Sequence, residues 1–174
     1  DVERSRGLGD VYKRQWSTML ERLNTESLPR LPADVEKPIY DRSRLTPGIV
    51  HLGLGAFHRA HQAVMTDLAM QASGDLSWGI LGVSLRSAAT RDALTPQDGL
   101  YTLALRDGGP DGETREQLRV VGSVLRVMVA EEDPNAVLER IAYPQTRIVS
   151  LTVTEKGYSH EPATGHLRLS LIHI

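Results

Sequence analysis

The chain of 174 residues has no cysteine. Disulfide scaffolds, thiolate zinc centres and cysteine nucleophiles are therefore excluded. It has no dominant charge either: 20 basic side chains face 22 acidic ones, a net charge of −2 with histidine neutral. No basic field exists to hold a nucleic-acid backbone or an anionic membrane. No apolar run approaches the roughly 20 residues needed to span a bilayer. A positive segment followed by an apolar one, the pattern of a secretory leader, is also missing, so the expected location is cytoplasmic. Internal repeats and low-complexity segments are not found. What is present is 40 % apolar and 24 % charged residues. That is the composition of a soluble globular chain, one ordinary domain or a piece of something larger.

The two ends read differently from the middle. Asp10-Val11-Tyr12-Lys13-Arg14-Gln15 can be encoded by GAT-GTG-TAT-AAG-AGA-CAG, and Leu169-Ser170-Leu171-Ile172-His173-Ile174 by CTG-TCT-CTT-ATA-CAC-ATC. The second string is the reverse complement of the first and matches the end sequence used in transposase-based DNA sequencing libraries. Ser5-Arg6-Gly7-Leu8-Gly9 fits the adaptor bases before it. Residues 1–15 and 169–174 are accordingly expected to be adaptor-derived and are set aside. The insert Trp16–Arg168 is then the beginning of a longer protein, with Met19 as its candidate start.

Along that insert, Met19 to Asn24 suits a short helical turn. Pro29, Pro32, Pro38 and Pro47 punctuate an irregular N-terminal arm over 16–47, which Gly48 closes. Ile49 to Leu52 is a β-rich run. The apolar spacing Ala60, Ala63, Val64, Leu68, Ala72 predicts an amphipathic helix over 57–72, with Gly74 as its stop. WGILGVSL at 78–85 is the near-continuous apolar run of a strand covered on both faces. A polar helix is expected over 88–94. Strands over 101–105 and 117–121 form a hairpin around Gly108 to Gly112, and 124–129 makes another strand. A helix over 134–142 has Asp133 as N-cap and Pro134 at its first position. RIVSLTVT at 147–154 is a β-branched strand. This order predicts an α/β, Rossmann-like fold: a mainly parallel sheet, helices on both faces, and a hairpin insertion in an incomplete domain.

Chemistry concentrates in Ile49-Val50-His51-Leu52-Gly53-Leu54-Gly55-Ala56-Phe57-His58-Arg59-Ala60-His61. A strand runs into Gly-x-Gly and a helix follows at once. Gly53 lets the chain turn tightly out of the strand, and Gly55 lets the backbone approach a pyrophosphate without a Cβ in the way. The helix start offers N–H groups to that anion, and Arg59 can add a charged contact. The third glycine of the usual fingerprint is missing; Arg59 lies near where it would fall. From these residues alone the alternatives are dinucleotide binding and a simple tight turn. His58 and His61 lack a third ligand, so no metal site is expected; His58 reads as lying on the cofactor side and His61 as packed or hydrogen-bonded. His51 and Trp78 read as structural, Trp78 in the core. Neither Ser84 nor Ser123 sits in a nucleophile elbow.

GLGAFHRAHQA resembles the N-terminal signature of the mannitol dehydrogenase family, the polyol-specific long-chain dehydrogenases. The segments WGILGVSLRS, Leu100 to Leu103, Val121-Gly122-Ser123 and RIVSLTVTEKGY resemble it too. The TEKGY form is nearer to its fructuronate reductases than to its mannitol dehydrogenases. The resemblance implies an NAD(P)-dependent oxidoreductase passing hydride between nicotinamide and a sugar alcohol or a hexuronate-derived keto acid, without metal. It implies that 48–168 is the N-terminal part of a dinucleotide-binding domain. Cofactor contacts are then expected at Gly53, Gly55, Ala56, Phe57, His58, Arg59, Leu85, Arg86 and Thr154. Glu155 is expected on a proton path, the alternative being a solvated strand-end carboxylate. No catalytic residue is expected within the segment itself. Ala88 and Ala89 stand where some NAD-preferring members carry acids, so NAD is expected with NADP not excluded. The rival readings are a non-catalytic nucleotide-binding module and a translated fragment without function. Oligomeric state is not encoded in any of this. Sequencing the parent DNA beyond the Arg168 codon separates them: a frame continuing into a lysine and an Asn-Gly-x-His segment supports the enzyme, and an early stop rules it out.

Overall fold

The computed structural model describes residues 21–108, 114–153, 164 and 166. Four strands form one parallel sheet: β1 (Pro47–Leu52), β2 (Gly79–Ser84), β5 (Val124–Val129) and β6 (Ile148–Leu151), in the order β5-β2-β1-β6. β1 lies between β2 and β6, and β2 pairs on its other side with β5. Counted along the chain, these are the third, second, first and fourth parallel strands. The order therefore reverses between β1 and β6, the topological switch point of a doubly wound sheet. Strands β3 (Tyr101–Gly108) and β4 (Thr114–Val121) form a separate antiparallel hairpin inserted between β2 and β5.

Side chains alternate across the central strands, and each face finds its own cover. Ile49, Ile80, Val124 and Val127 cluster with Ala63 and Val64 on one face. Val50, Leu81 and Val83 cluster with Val137 on the other. The first cover belongs to the helical stretch α1 (Ala56–Ala60) and α2 (Gln62–Ser73). The second is α4 (Pro134–Ile141), which follows the short helix α3 (Ala89–Leu94). Asp133 caps α4 as its sequence predicts, its Oδ1 accepting from the Ala136 N–H at 2.9 Å. Gly74 ends α2 with φ +72°.

Three sequence expectations are corrected. The helix over 57–72 is broken at His61, whose backbone (φ −123°, ψ −81°) leaves helical geometry. The buried stripe of α2 is Ala63, Val64, Asp67 and Met70, while Leu68 is 38 % exposed. Asp67 enters that stripe because polar partners meet it there: the Tyr40 hydroxyl, the Gly122 N–H at 3.1 Å and Gln71 Nε2 at 3.1 Å. Burial still holds its carboxyl above the usual range, against those hydrogen bonds. Trp78 packs against the core but at its edge: it is half-buried at the entrance to β2, with its indole N–H donating to Asp75 at 2.9 Å and the Arg147 guanidinium 4.6 Å above its ring.

Among the described residues, the arm before β1 carries two short 3₁₀ turns, Leu28–Arg30 and Arg42–Arg44. It is nevertheless tied down. Val35 packs on Leu100 and Val120. Glu36 exchanges backbone hydrogen bonds with β4, donating to Leu118 at 3.0 Å and accepting from Val120 at 2.8 Å. Arg42 donates to three carbonyls: Gly122 (3.0 Å), Asp98 (2.7 Å) and Val124 (3.0 Å). The bonds to Gly122 and Val124 are partly buried while that to Asp98 is exposed, so removing the charged donor leaves two carbonyls short of a partner away from bulk water. Arg42→Leu is expected to cost about 2–4 kcal/mol, read as a lower urea midpoint at unchanged slope. A loss below about 0.5 kcal/mol, the scale of a surface substitution, would show that the arm is held by other contacts.

Candidate functional site

The carboxyl ends of the parallel strands are where an open α/β sheet binds its ligand. At that edge β1 leads into Gly53-Leu54-Gly55 and then α1. Gly53 has φ +90°, a backbone state that disfavours any side chain. The loop is stitched to β2: the Gly53 and Leu54 N–H groups both donate to the Val83 carbonyl, at 2.8 and 3.3 Å. Leu54 is buried at 3 % exposure. It drops into the gap left by Gly82 of β2, where a Cβ would stand 2.5 Å from Leu54 Cδ2. Gly82 was legible as a glycine interrupting an apolar strand, a mark of close approach, but its partner was not.

Gly55 is different in kind. Its backbone is extended (φ −84°, ψ −178°), open to any residue. A Cβ there would meet nothing nearer than the Gly53 carbonyl oxygen at 3.7 Å. The fold itself does not demand glycine at this position. The space above it suits a group that must lie against the backbone, as a pyrophosphate does.

Counted in the spacing of the dinucleotide fingerprint, one-three-six from Gly53, the third glycine position is His58 rather than Arg59. That glycine ordinarily lets helix and strand pack closely. Here an imidazole fills the contact. His58 is 1 % exposed and stacks on His51 of β1, with ring centroids 3.5 Å apart and planes 20° apart. Both of its ring nitrogens lack a hydrogen-bond partner among the described residues. The expected cofactor-side His58 is thus placed beneath the loop, not on its open face. Burial, then His51, then Arg59 lower its pKa from the ordinary 6.5 to about 4.

His51, also 1 % exposed, bonds through both nitrogens. Ser150 Oγ lies 2.9 Å from its Nδ1, and Thr152 Oγ1 lies 3.2 Å from its Nε2. Burial lowers its pKa against the pull of the Gly53 backbone. Arg59 folds back on the loop, its Nη1 donating to the Leu54 carbonyl at 2.9 Å. The Tyr101 hydroxyl donates to the Arg59 carbonyl at 2.6 Å, joining the hairpin to α1. His61 Nδ1 lies 2.8 Å from the Phe57 carbonyl, and its ring stacks on the Phe57 ring. Phe57 itself is 66 % exposed, and Ala56 is exposed beside it. Leu85 and Arg86 are exposed just past the end of β2. Thr154 and Glu155 lie outside the described residues. Among the described residues no three His, Asp or Glu side chains group as a metal site, and no helix is long and apolar enough to cross a membrane.

The mannitol dehydrogenase Rossmann domain family matches residues 47–171. The chain belongs to that family. A mannitol dehydrogenase of Saccharomyces cerevisiae is 45 % identical over 147 residues, covering 83 % of this chain and 28 % of the yeast protein. Mannitol 2-dehydrogenase of Pyricularia oryzae is 42 % identical over 156 residues, covering 86 % and 30 %. The structure of Pseudomonas fluorescens mannitol 2-dehydrogenase, a ternary complex with NAD and D-mannitol, aligns with TM-score 0.74 at 40 % identity over 84 % of this chain and 30 % of that one. The chain thus spans about 30 % of the length of these relatives.

The buried imidazole pair has a consequence for stability. An unfolded histidine takes up a proton near pH 6.5, whereas His58 in the fold resists it until about pH 4. Stability contributed by the neutral ring is full above pH 6.5 and is lost as pH falls toward 4. Asp67, whose folded pKa is raised, acts in the opposite sense, so the comparison must be between variants. His58→Phe keeps a stacked ring without the titration. Its urea midpoint is expected to fall less steeply than that of the unsubstituted chain between pH 6.5 and 4. Equal slopes would show that His58 charges freely in the fold.

Proposed function

We propose that the protein containing this chain is an NAD-dependent oxidoreductase acting on a sugar alcohol, and that the chain forms the adenosine- and pyrophosphate-binding side of its coenzyme domain. The observation that carries this is the Gly53–Gly55 loop at the switch point, with unfilled space over Gly55 that the fold does not require. The bound nicotinamide would supply or accept the hydride. The residues of this chain hold and orient: Gly53 sets the turn, Gly55 gives the pyrophosphate its approach, and Arg59 and Arg86 place positive charge near it. Leu85 and Arg86 stand where the second strand of such a sheet meets the adenosine ribose. Thr154 and Glu155 follow β6 in sequence; the family resemblance supports a coenzyme contact for Thr154 and a proton-path role for Glu155. The alcohol proton itself is taken by a residue outside this chain.

NAD is favoured by family membership and by the NAD complex of the Pseudomonas relative. Ala88 and Ala89 offer no carboxylate to repel a 2′-phosphate, which keeps NADP as the second coenzyme to assay. The TEKGY segment at 154–158 supports a hexuronate-derived keto acid as the second substrate class. The test uses the protein expressed from its complete reading frame, with NAD and NADP, mannitol and fructuronate. Gly55→Val is expected to leave the fold intact and to weaken coenzyme binding at least tenfold, about 1.4 kcal/mol. Unchanged coenzyme affinity in that variant would remove the loop from the binding site.

A further inference from the structure

We propose that His51 is a positioning residue: held in its plane by Ser150, it fixes Thr152, just past the carboxyl end of β6, against the glycine loop, and so sets the two halves of the coenzyme site in register. This rests on the dehydrogenase reading above.

The argument begins with the third fingerprint position. A side chain at His58 has to be accommodated where α1 crosses β1, and the flat face of His51 accommodates it at 3.5 Å. The same ring is then fixed in its own plane by Ser150 and Thr152. A neutral imidazole has one N–H and one bare nitrogen, so it donates to one hydroxyl and accepts from the other. Gln62, at the start of α2, adds a contact from its Nε2 to Ser150 Oγ at 3.4 Å. One ring thereby touches the glycine-loop helix on its face and the end of β6 on its edge. Those are the two sides of the switch point.

A ligand lying across that crevice is held by its phosphates at the β1 loop and extends toward the end of β6. Losing the His51–Thr152 contact leaves the loop, and hence phosphate binding, in place. It frees the β6 end that leads toward the reacting group. Misplacement by about 1 Å there costs turnover about 10²-fold without requiring weaker coenzyme binding. The charged group acting on this pair is Arg59, from α1, and it acts on His58.

The chain's geometry separates the two contacts. An asparagine amide reproduces the reach of a histidine Nδ1, and a glutamine amide that of Nε2. His51→Asn keeps the Ser150 contact and His51→Gln keeps the Thr152 contact. Thr152 is exposed, so Thr152→Val removes the hydroxyl without endangering the fold. In the protein expressed from its complete reading frame, Thr152→Val and His51→Asn are expected to lower kcat by about 10- to 100-fold at unchanged NADH dissociation constant. Amide hydrogen exchange over 150–153 should quicken in both. His51→Gln should retain turnover. Wild-type kcat in Thr152→Val and His51→Asn overturns the proposal. So does a loss of NADH affinity in step with kcat, or a His51→Gln as impaired as His51→Asn, since each marks a merely structural ring. An unsubstituted protein that binds neither coenzyme and turns over no polyol or hexuronate overturns the dehydrogenase reading, and this inference with it.

Discussion

Leu54 seated in the gap at Gly82 is the contact on which the site's geometry depends. With no side chain at 82, β2 leaves a hollow in one face of the sheet, and Leu54 fills it. That pulls the loop down until two successive N–H groups reach one carbonyl of β2. The turn this requires forces Gly53 to φ +90°, and α1 starts immediately at the sheet edge. Apolar burial thus does the positioning, and the polar contacts record where the loop was put. A larger residue at 82 or a smaller one at 54 would disturb the coenzyme loop without touching it.

The histidine pair answers a second demand of the same junction. A parallel sheet is covered on both faces, and its helix must lie close to the strand before it. The usual solution removes a side chain from the helix. This chain keeps one and makes it flat, then gives it an equally flat partner. Two stacked imidazoles bury well only while uncharged, so the junction is built for neutral and higher pH.

Much of the fold was legible in the residues. Gly79 to Ser84 announces itself as a buried parallel strand, because both of its faces must be apolar, while Ile49 to Leu52 and Val124 to Val129 read only as strands, the latter with Arg126 exposed. Asp133-Pro134 marks its helix by cap chemistry, which is local. What failed was long-range. Counting apolar residues put Leu68 on the buried face of α2, but Asp67 takes a place there because a tyrosine hydroxyl from the arm, 27 residues earlier, reaches it. The break at His61 has no signature in propensity. Trp78 looked like core by size, yet its N–H needs a partner and finds one at the surface. In the site, the glycines were readable from spacing. The third position was visible too, once counted as His58, but its stacking on His51 needed the packing of α1 against β1.

The N-terminal arm adds a consequence in time rather than space. It leaves the ribosome before any of its partners exist. Arg42 waits for Asp98, Gly122 and Val124, which follow it by 56 to 82 residues. Contacts of such separation carry a loop-closure cost that must be met before they stabilise anything. The arm therefore cannot be tied down until the hairpin and the start of β5 have been made. Until then, Glu36 cannot cover the edge of β4, and that edge stands open to other chains. The interval of vulnerability during synthesis is set by the length of chain between the arm and the hairpin.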